Sequence, residues 1–249
     1  MRTASSVCAD SSAADAIPSG DGARRRPWIW FAGGCWDWSR SSGTGHWAAS
    51  EGDEEMDSAG GIRSFIALEL SDEVRRKAER LQSRLKKAGF SLGWVKPESM
   101  HLTLFFLGYV DSPVLESIYE ISDSAAAGVA PFVMELDGVG YFGPRSNPRV
   151  VWVGVKEPTG ALQRLYEDLA GRLAGLGFEK EKRPFTPHVT LARVRARSRA
   201  SGLATELEKL SGEKLGTVRV GRVLVMRSVL EPTGAVYTML HESPMKGAD

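Results

Sequence analysis

Two of the four histidines in this 249-residue chain stand in the same four-residue frame. His101 opens the stretch HLTL and His188 opens HVTL, so each is followed two residues later by a threonine, Thr103 or Thr190. A neutral imidazole can take a proton from water and an imidazolium can give one to a leaving oxygen. Threonine hydroxyls can hydrogen-bond phosphate oxygens as charge builds on them. The repeated frame therefore indicates phosphoryl chemistry with one acid and one base.

The residues around both histidines are typical of β-strands, in which alternate side chains share a face. His101 and Thr103 are thus predicted to point one way, and Leu102 and Leu104 the other way, into a core. The same alternation applies to the second frame. A single such histidine would more often be a surface or core residue, but chance would repeat the frame only about once in ten thousand cases. If the two strands face each other, both imidazoles and both hydroxyls meet in one cleft.

The elements around the two frames follow a similar plan in each half of the chain. The first helix is predicted to begin after the N-cap Ser71 and to end at Gly89, with a buried face formed by Val74, Ala78, Leu81, Leu85 and Ala88. Further helices are predicted at about 113–127, 162–176 and 201–210, and strands at 62–70, 101–110, 132–142, 149–155, 217–230 and 235–242. This order indicates an internal duplication and a two-lobed α+β protein with antiparallel strands.

The first 61 residues differ in composition from the rest. They contain no lysine, are rich in Ser, Gly, Ala and Asp, and show neither helical nor strand periodicity. We therefore predict that residues 1–61 form a disordered tail and that residues 62–249 form a single bilobal domain. Ordered sequence begins soon after Met56. This suggests that residues 1–55 are untranslated sequence upstream of the gene's start and that translation begins at Met56. The tail shows no convincing signal peptide.

Composition limits the chemistry that the folded part can carry. No cysteine follows Cys35, so neither a disulfide framework nor a cysteine-ligated metal is possible there. Neither motif histidine has a helical partner three or four residues away, and no metal is predicted. The chain has no P-loop and no convincing dinucleotide fingerprint, so we expect no cofactor. The 42% of hydrophobic residues, the net charge of +1 and the lack of an apolar run of membrane-spanning length are typical of a soluble globular protein. The absence of cysteine from the folded part fits a cytoplasmic location, and we expect a monomer.

From about Ile62 to Leu240 the chain resembles the RNA 2′,3′-cyclic phosphodiesterases of the 2H phosphoesterase superfamily, historically called 2′-5′ RNA ligases. The stretches that carry the resemblance are RSFIALEL, WVKPESMHLTLFFLG, GVGYFGPRSNPRVVWVGV, RPFTPHVTLARV and MRSVLEPTGAVYTML. The resemblance implies a LigT-like fold with two pseudo-symmetric lobes around a central cleft. It also implies metal-independent hydrolysis of a terminal 2′,3′-cyclic phosphate on RNA to a 2′-phosphomonoester, with 2′-5′ ligation as the reverse reaction.

The resemblance also implies a role for each residue of the site. His101 would donate a proton to the departing O3′, His188 would accept a proton from water, and Thr103 and Thr190 would hold the phosphate oxygens. Nothing in the residues themselves distinguishes the two histidines. Arg193, which the family commonly has, would assist phosphate or strand binding. Strict alternation puts it on the face opposite His188, where it would be a solvated surface charge unless a strand end or a bulge redirects it.

Several interpretations remain open from the sequence. Phe105 is four residues after His101, so strict alternation puts it on the same face, where it is expected to make the cleft more apolar. The basic run Arg193–Arg199 could contact an RNA backbone or be only a charged loop. The substrate could instead be a small-molecule cyclic phosphate or a 2′-5′ oligoadenylate. A non-catalytic nucleotide- or RNA-binding module is a third reading, which the intact motif residues disfavour.

Overall fold

The computed structural model describes residues 61–195, 200–231 and 234–246. The predictions for residues 1–60, and for positions 196–199 of the basic run, lie outside these ranges. The elements in chain order are β1 (Ile62–Glu69), α1 (Asp72–Lys87), β2 (Gly93–Trp94), a 3-10 helix (Pro97–Ser99), β3 (His101–Val110), α2 (Ser112–Ala127), β4 (Phe132–Phe142), β5 (Val150–Lys156), α3 (Ala161–Ala174), β6 (His188–Arg193), α4 (Leu203–Glu208), β7 (Lys214–Val220), β8 (Arg222–Glu231) and β9 (Gly234–Pro244).

The nine strands form one antiparallel sheet in the order β7-β4-β5-β6-β3-β1-β8-β9, and β2 adds to β6. The sheet is narrowest at its centre, where β3 and β6 share a single registered pair, Leu102 with Val189. On one side lies a lobe of β1, β3, β8 and β9, and on the other a lobe of β4, β5, β6 and β7. The predicted two-lobed α+β architecture with antiparallel strands is confirmed.

The two lobes do not correspond to the two halves of the chain. Strand β4 belongs to the first half but pairs with β5 and β7 in the second lobe. The C-terminal strand β8 returns to the first lobe, where it pairs with β1 and β9. The single strand predicted at 217–230 is therefore divided at Gly221, because the chain must leave one lobe and enter the other there. Each lobe thus receives strands from both halves, which ties the lobes together.

The helix α1 shows how local sequence signals set the elements that support the cleft. The hydroxyl of Ser71 accepts a hydrogen bond from the backbone N–H of Val74 at 3.4 Å and caps the helix. Gly89 follows the helix with a φ of 93°, a conformation that favours glycine. The predicted boundaries are confirmed, although Ala88 is an exposed cap residue and not part of the buried face.

The single pair at the centre of the sheet gives a stability prediction. Leu102 is completely buried, so we expect Leu102→Ala to lower the free energy of unfolding by about 2–5 kcal/mol through lost burial and a residual cavity. Urea denaturation at 25 °C measures this change. Leu230→Ala makes the same truncation on a strand residue that is 56% exposed, and should change the free energy by less than about 1 kcal/mol. Equal losses in both variants would contradict the central role of Leu102.

Candidate active site

The pairing of β3 with β6 places both histidine motifs on one face of the sheet. Leu102 and Val189 are opposite each other and fully buried. Continuing this antiparallel register by one residue in each direction sets His101 across from Thr190. It sets Thr103 across from His188 in the same way. The four side chains therefore share the face of the sheet that points away from the core, where β3 of one lobe meets β6 of the other, and we call this face the cleft.

Each histidine is held by the same backbone contact. His101 Nδ1 lies 2.8 Å from the carbonyl oxygen of Ser99, and His188 Nδ1 lies 2.7 Å from the carbonyl oxygen of Thr186. Because a carbonyl oxygen only accepts hydrogen bonds, Nδ1 must carry the proton in both rings. The Nε2 atom then accepts a proton in the neutral ring and donates one in the imidazolium. Both imidazoles are thus fixed in the form that leaves Nε2 for acid or base chemistry.

Aromatic side chains surround both imidazoles, but they come from different positions in the two lobes. Phe65 of β1 stacks on His101 at 4.7 Å between ring centroids, and Tyr237 of β9 approaches His101 edge-on at 5.1 Å. Phe142 of β4 meets the ring of His188 edge-on at 4.9 Å. The sequence alone does not place any of these three rings beside a histidine. Their contacts depend on strand pairing over long separations, which local patterns do not reveal.

Trp152 of β5 is a further aromatic neighbour of His188 in the second lobe. Its ring centroid lies 6.3 Å from that of His188 and 5.3 Å from that of Phe142. The indole fits because its cross-strand neighbour is glycine: a Cβ added at Gly140 would lie 2.4 Å from two carbons of the indole ring. The sequence alone does not show that Gly140 and Trp152 are neighbours, because their pairing depends on the register of β4 and β5.

This environment lowers the basicity of both histidines. Burial lowers the pKa of His101 to about 4, against the opposing effect of its hydrogen bond to the Ser99 carbonyl and with a further lowering from the charge of Arg193. Burial also lowers the pKa of His188, again with a contribution from Arg193. Both rings are therefore neutral in the free protein at pH 7. His101 is the more deeply desolvated of the two, which distinguishes residues that looked equivalent in the sequence.

A β-bulge follows each motif at the same position. In β3, Thr103 pairs with Ala67 and Phe105 pairs with Ile66, so Leu104 has no partner on β1. In β6, Thr190 pairs with Trp152 and Ala192 pairs with Val151, so Leu191 has no partner on β5. The leucine of the frame is thus the bulged residue in both lobes. Each bulge shifts the alternation of side chains by one residue beyond it.

The bulge at Leu104 overturns the expectation for Phe105. This side chain is only 7% exposed and lies in the hydrophobic core with Leu102 and Leu104, not in the cleft. Phe106 takes the position that strict alternation gave to Phe105, and its ring lies 4.7 Å from the guanidinium carbon of Arg63. The interpretation that Phe105 makes the cleft apolar was wrong because strict alternation does not survive a bulge.

The bulge at Leu191 has the matching effect on Arg193. Arg193 pairs with Val150, and Thr190 pairs with Trp152. Because Val150 and Trp152 are two residues apart on a regular stretch of β5, their side chains share a face. Arg193 therefore lies on the cleft face with Thr190. Its charge reaches both imidazoles, since it lowers the pKa of His101 and of His188. Within the described ranges no carboxylate forms an ion pair with Arg193. A guanidinium beside two neutral imidazoles makes the cleft suited to an anion.

The remaining histidine of the described part lies away from the cleft. His241 of β9 bonds through Nε2 to Asp123 of α2 at 2.8 Å, and its ring stacks on Tyr119. It therefore joins a strand to a helix. In the part of the chain that the structure describes, no three His, Cys, Asp or Glu side chains are grouped closely enough to hold a metal ion. None of the helices there has the length and apolarity needed to cross a membrane.

Comparison with known proteins assigns the family. The family described as LigT like Phosphoesterase matches the chain twice in succession, over residues 68–152 and 153–237. Each matched segment contains one histidine motif, in agreement with an internal duplication. Since the two matches together span more than half of the sequence, the chain belongs to this family. The resemblance to the 2H phosphoesterases is therefore confirmed.

Individual relatives are similar over most of their length. The RNA 2′,3′-cyclic phosphodiesterase of Thermotoga maritima is 37% identical over 75% of this chain and 97% of the relative. That of Methanothermobacter thermautotrophicus is 33% identical over 71% and 95%. Among solved structures, the TT0787 protein of Thermus thermophilus has a TM-score of 0.64 at 29% identity, covering 76% of this chain and all of that one. E. coli LigT complexed with 3′-AMP has a TM-score of 0.59 at 25% identity, covering 74% and 98%.

The burial of His101 gives a prediction that needs no substrate. We expect its imidazole resonances to stay those of the neutral Nδ1–H tautomer from pH 8 down to about 5.5, and to titrate with a midpoint near the pKa of about 4. Two-dimensional long-range ¹H–¹⁵N NMR reports tautomer and charge together. His101→Ala assigns the signals. A midpoint near 6.5, the ordinary value for histidine, would show that the ring is solvated in the free protein.

Proposed function

We propose that this protein hydrolyses the 2′,3′-cyclic phosphate at the end of an RNA to a 2′-phosphomonoester. The observation that carries the proposal is the pair of imidazoles, each fixed through Nδ1 and set across one strand pair, with Arg193 beside both. The names of the relatives support the same reaction. The acid and the base face one space, as displacement at phosphorus requires.

In the proposed reaction, each side chain of the site has one role. His188 Nε2 takes a proton from water as the water oxygen forms a bond to phosphorus. The bond between phosphorus and O3′ breaks, and the imidazolium of His101 gives its Nε2 proton to the departing oxygen. Thr103, Thr190 and Arg193 hold the non-bridging oxygens as charge builds on them. One water is consumed, and the proton gained by His188 replaces the one lost by His101 through solvent. The assignment of donor and acceptor follows the family resemblance.

The same steps in reverse would join a 2′-phosphate end to a hydroxyl, and water in excess favours hydrolysis. We propose that the enzyme acts as a cytoplasmic monomer. A small nucleotide is the second candidate substrate, because the similar E. coli LigT was crystallised with 3′-AMP, a single nucleotide. A cleft that holds one terminal phosphate fits an RNA end or such a nucleotide equally well.

A product assay tests the reaction. The full chain is incubated with a short RNA ending in a 2′,3′-cyclic phosphate, with EDTA present, and the product is treated with enzymes that distinguish 2′- from 3′-phosphates. A 2′-phosphate is the expected product. A 3′-phosphate would reverse the assignment of the leaving oxygen. If the RNA is unchanged but adenosine 2′,3′-cyclic phosphate is opened, the small-nucleotide candidate replaces the RNA substrate.

The two-histidine mechanism predicts a graded set of losses. His101→Ala and His188→Ala should each reduce kcat by about 10²–10⁴-fold or more, since each removes a general acid or base. Thr103→Ala and Thr190→Ala should cost less, because each removes one neutral hydrogen bond. His241→Ala serves as the control, since this histidine lies outside the cleft, and it should retain near-normal kcat. Steady-state kinetics on the cyclic-phosphate RNA measures all five variants. A near-normal rate in His101→Ala or in His188→Ala would rule out the mechanism.

A further inference from the structure

One buried polar side chain behind the cleft has no part in the mechanism so far. Gln82 lies on the apolar face of α1 and is only 1% exposed. Its Nε2 donates to the carbonyl oxygen of Val95 at 2.8 Å and to the carbonyl oxygen of Leu191 at 2.9 Å. A buried amide requires such partners, because an unsatisfied one is costly. An apolar side chain could fill this position on the buried face of α1, so the presence of an amide there calls for an explanation.

The second acceptor of Gln82 is the bulged residue of β6. Leu191 has no partner on β5, and its carbonyl instead accepts from Gln82 and from the backbone N–H of Val95, at 2.9 Å. The bulge is thus bound from behind by α1 and by the segment that follows β2. This bulge is also the feature that turns Arg193 onto the cleft face. Gln82 is therefore linked to Arg193 through two residues of β6.

The first lobe provides an internal comparison. The buried face of α1 matches that of α3 at a constant spacing, pairing Val74 with Leu162, Ala78 with Tyr166, Leu81 with Leu169, Gln82 with Ala170 and Leu85 with Leu173. The counterpart of Gln82 is thus a buried alanine, and α3 packs against β3. The bulge of β3 presents Phe106 where β6 presents Arg193. The amide occurs only behind the bulge that carries the cation.

We propose that Gln82 is a positioning residue for Arg193: by binding the carbonyl of the bulged Leu191, it keeps the guanidinium on the cleft face, where it holds the phosphate. The inference rests on the proposed function, and it names the interaction that makes the cleft's cation available to the substrate. Without the amide, the bulge loses a hydrogen bond, and a register without the bulge would turn Arg193 away from the histidines.

The variant Gln82→Met tests this role, because methionine keeps a similar volume and removes the amide. Misplacement of a binding group by about 1 Å costs on the order of 10²-fold, so we expect kcat/KM for the cyclic-phosphate RNA to fall about 10- to 100-fold. Arg193→Gln should lower kcat/KM at least as much. In the Arg193→Gln background, Gln82→Met should cost less than about twofold more, because it acts through a group already removed.

Leu85→Ala is the matched control for a general loss of packing. Leu85 is buried on the same face of α1 and makes no polar contact with β6. The variant should lower the melting temperature and leave kcat/KM near the wild-type value at 25 °C. Gln82→Leu is made in parallel, so that a folding defect in one variant does not decide the outcome. Circular dichroism confirms that each protein is folded at the assay temperature.

A binding measurement separates this proposal from the proposed function. The dissociation constant of adenosine 2′-monophosphate is determined by calorimetry for the wild type, both single variants and the double variant. The expected result is weaker binding in each single variant and no further loss in the double variant. Equal effects of Gln82→Met in both backgrounds, or no effect of Arg193→Gln, would overturn the role of Gln82. If the wild type leaves the RNA unchanged, the proposed function fails, and the binding cycle still decides this role.

Discussion

The arrangement of the cleft depends on one antiparallel strand pair at the centre of the sheet. Leu102 and Val189 face each other there, both buried, and they are the single registered contact between β3 and β6. A slip of one residue in either strand would turn its histidine into the core and its leucine or valine into the cleft. Apolar burial therefore enforces the register, and the register places two imidazoles in one space. The chain also passes from one lobe to the other at Gly221, so the two sides of the sheet are connected covalently as well.

A symmetric scaffold carries an asymmetric set of charges. Each histidine bonds to the carbonyl two residues before it, and each motif leucine is bulged. The symmetry ends at the next side chain on the cleft face, which is Phe106 after the first motif and Arg193 after the second. Displacement at phosphorus is itself asymmetric, since one oxygen arrives and another departs. A duplicated domain can serve such a reaction because its two sides differ beyond the repeated frame, in Phe106 against Arg193 and in the aromatic rings around each histidine.

Much of this could be read from the sequence, and the failures have a common cause. The boundaries of β3, the cap of α1 at Ser71 and the alternation within both frames follow from local periodicity and short-range hydrogen bonds. The side of Phe105, the orientation of Arg193 and the division of a strand at Gly221 all depend on which residues pair across strands. Pairing joins residues that are far apart in the chain, so alternation within one strand cannot reveal a bulge. The role proposed for Gln82 does not follow from the sequence, because a lone amide on a helix is usually solvated.

The desolvation that makes both imidazoles neutral in the free protein also couples protonation to binding. Burial and the charge of Arg193 together oppose an imidazolium at His101, whose pKa is about 4. A phosphate anion in the cleft acts in the opposite direction on both counts: it attracts the imidazolium directly, and it neutralises the guanidinium that opposes it. In the proposed mechanism, the imidazolium of His101 then forms in the complex, next to the oxygen to which it gives its proton. An enzyme built in this way holds its reactive protonation state mainly when the substrate is present, which is differential stabilisation of the reacting complex over the free site.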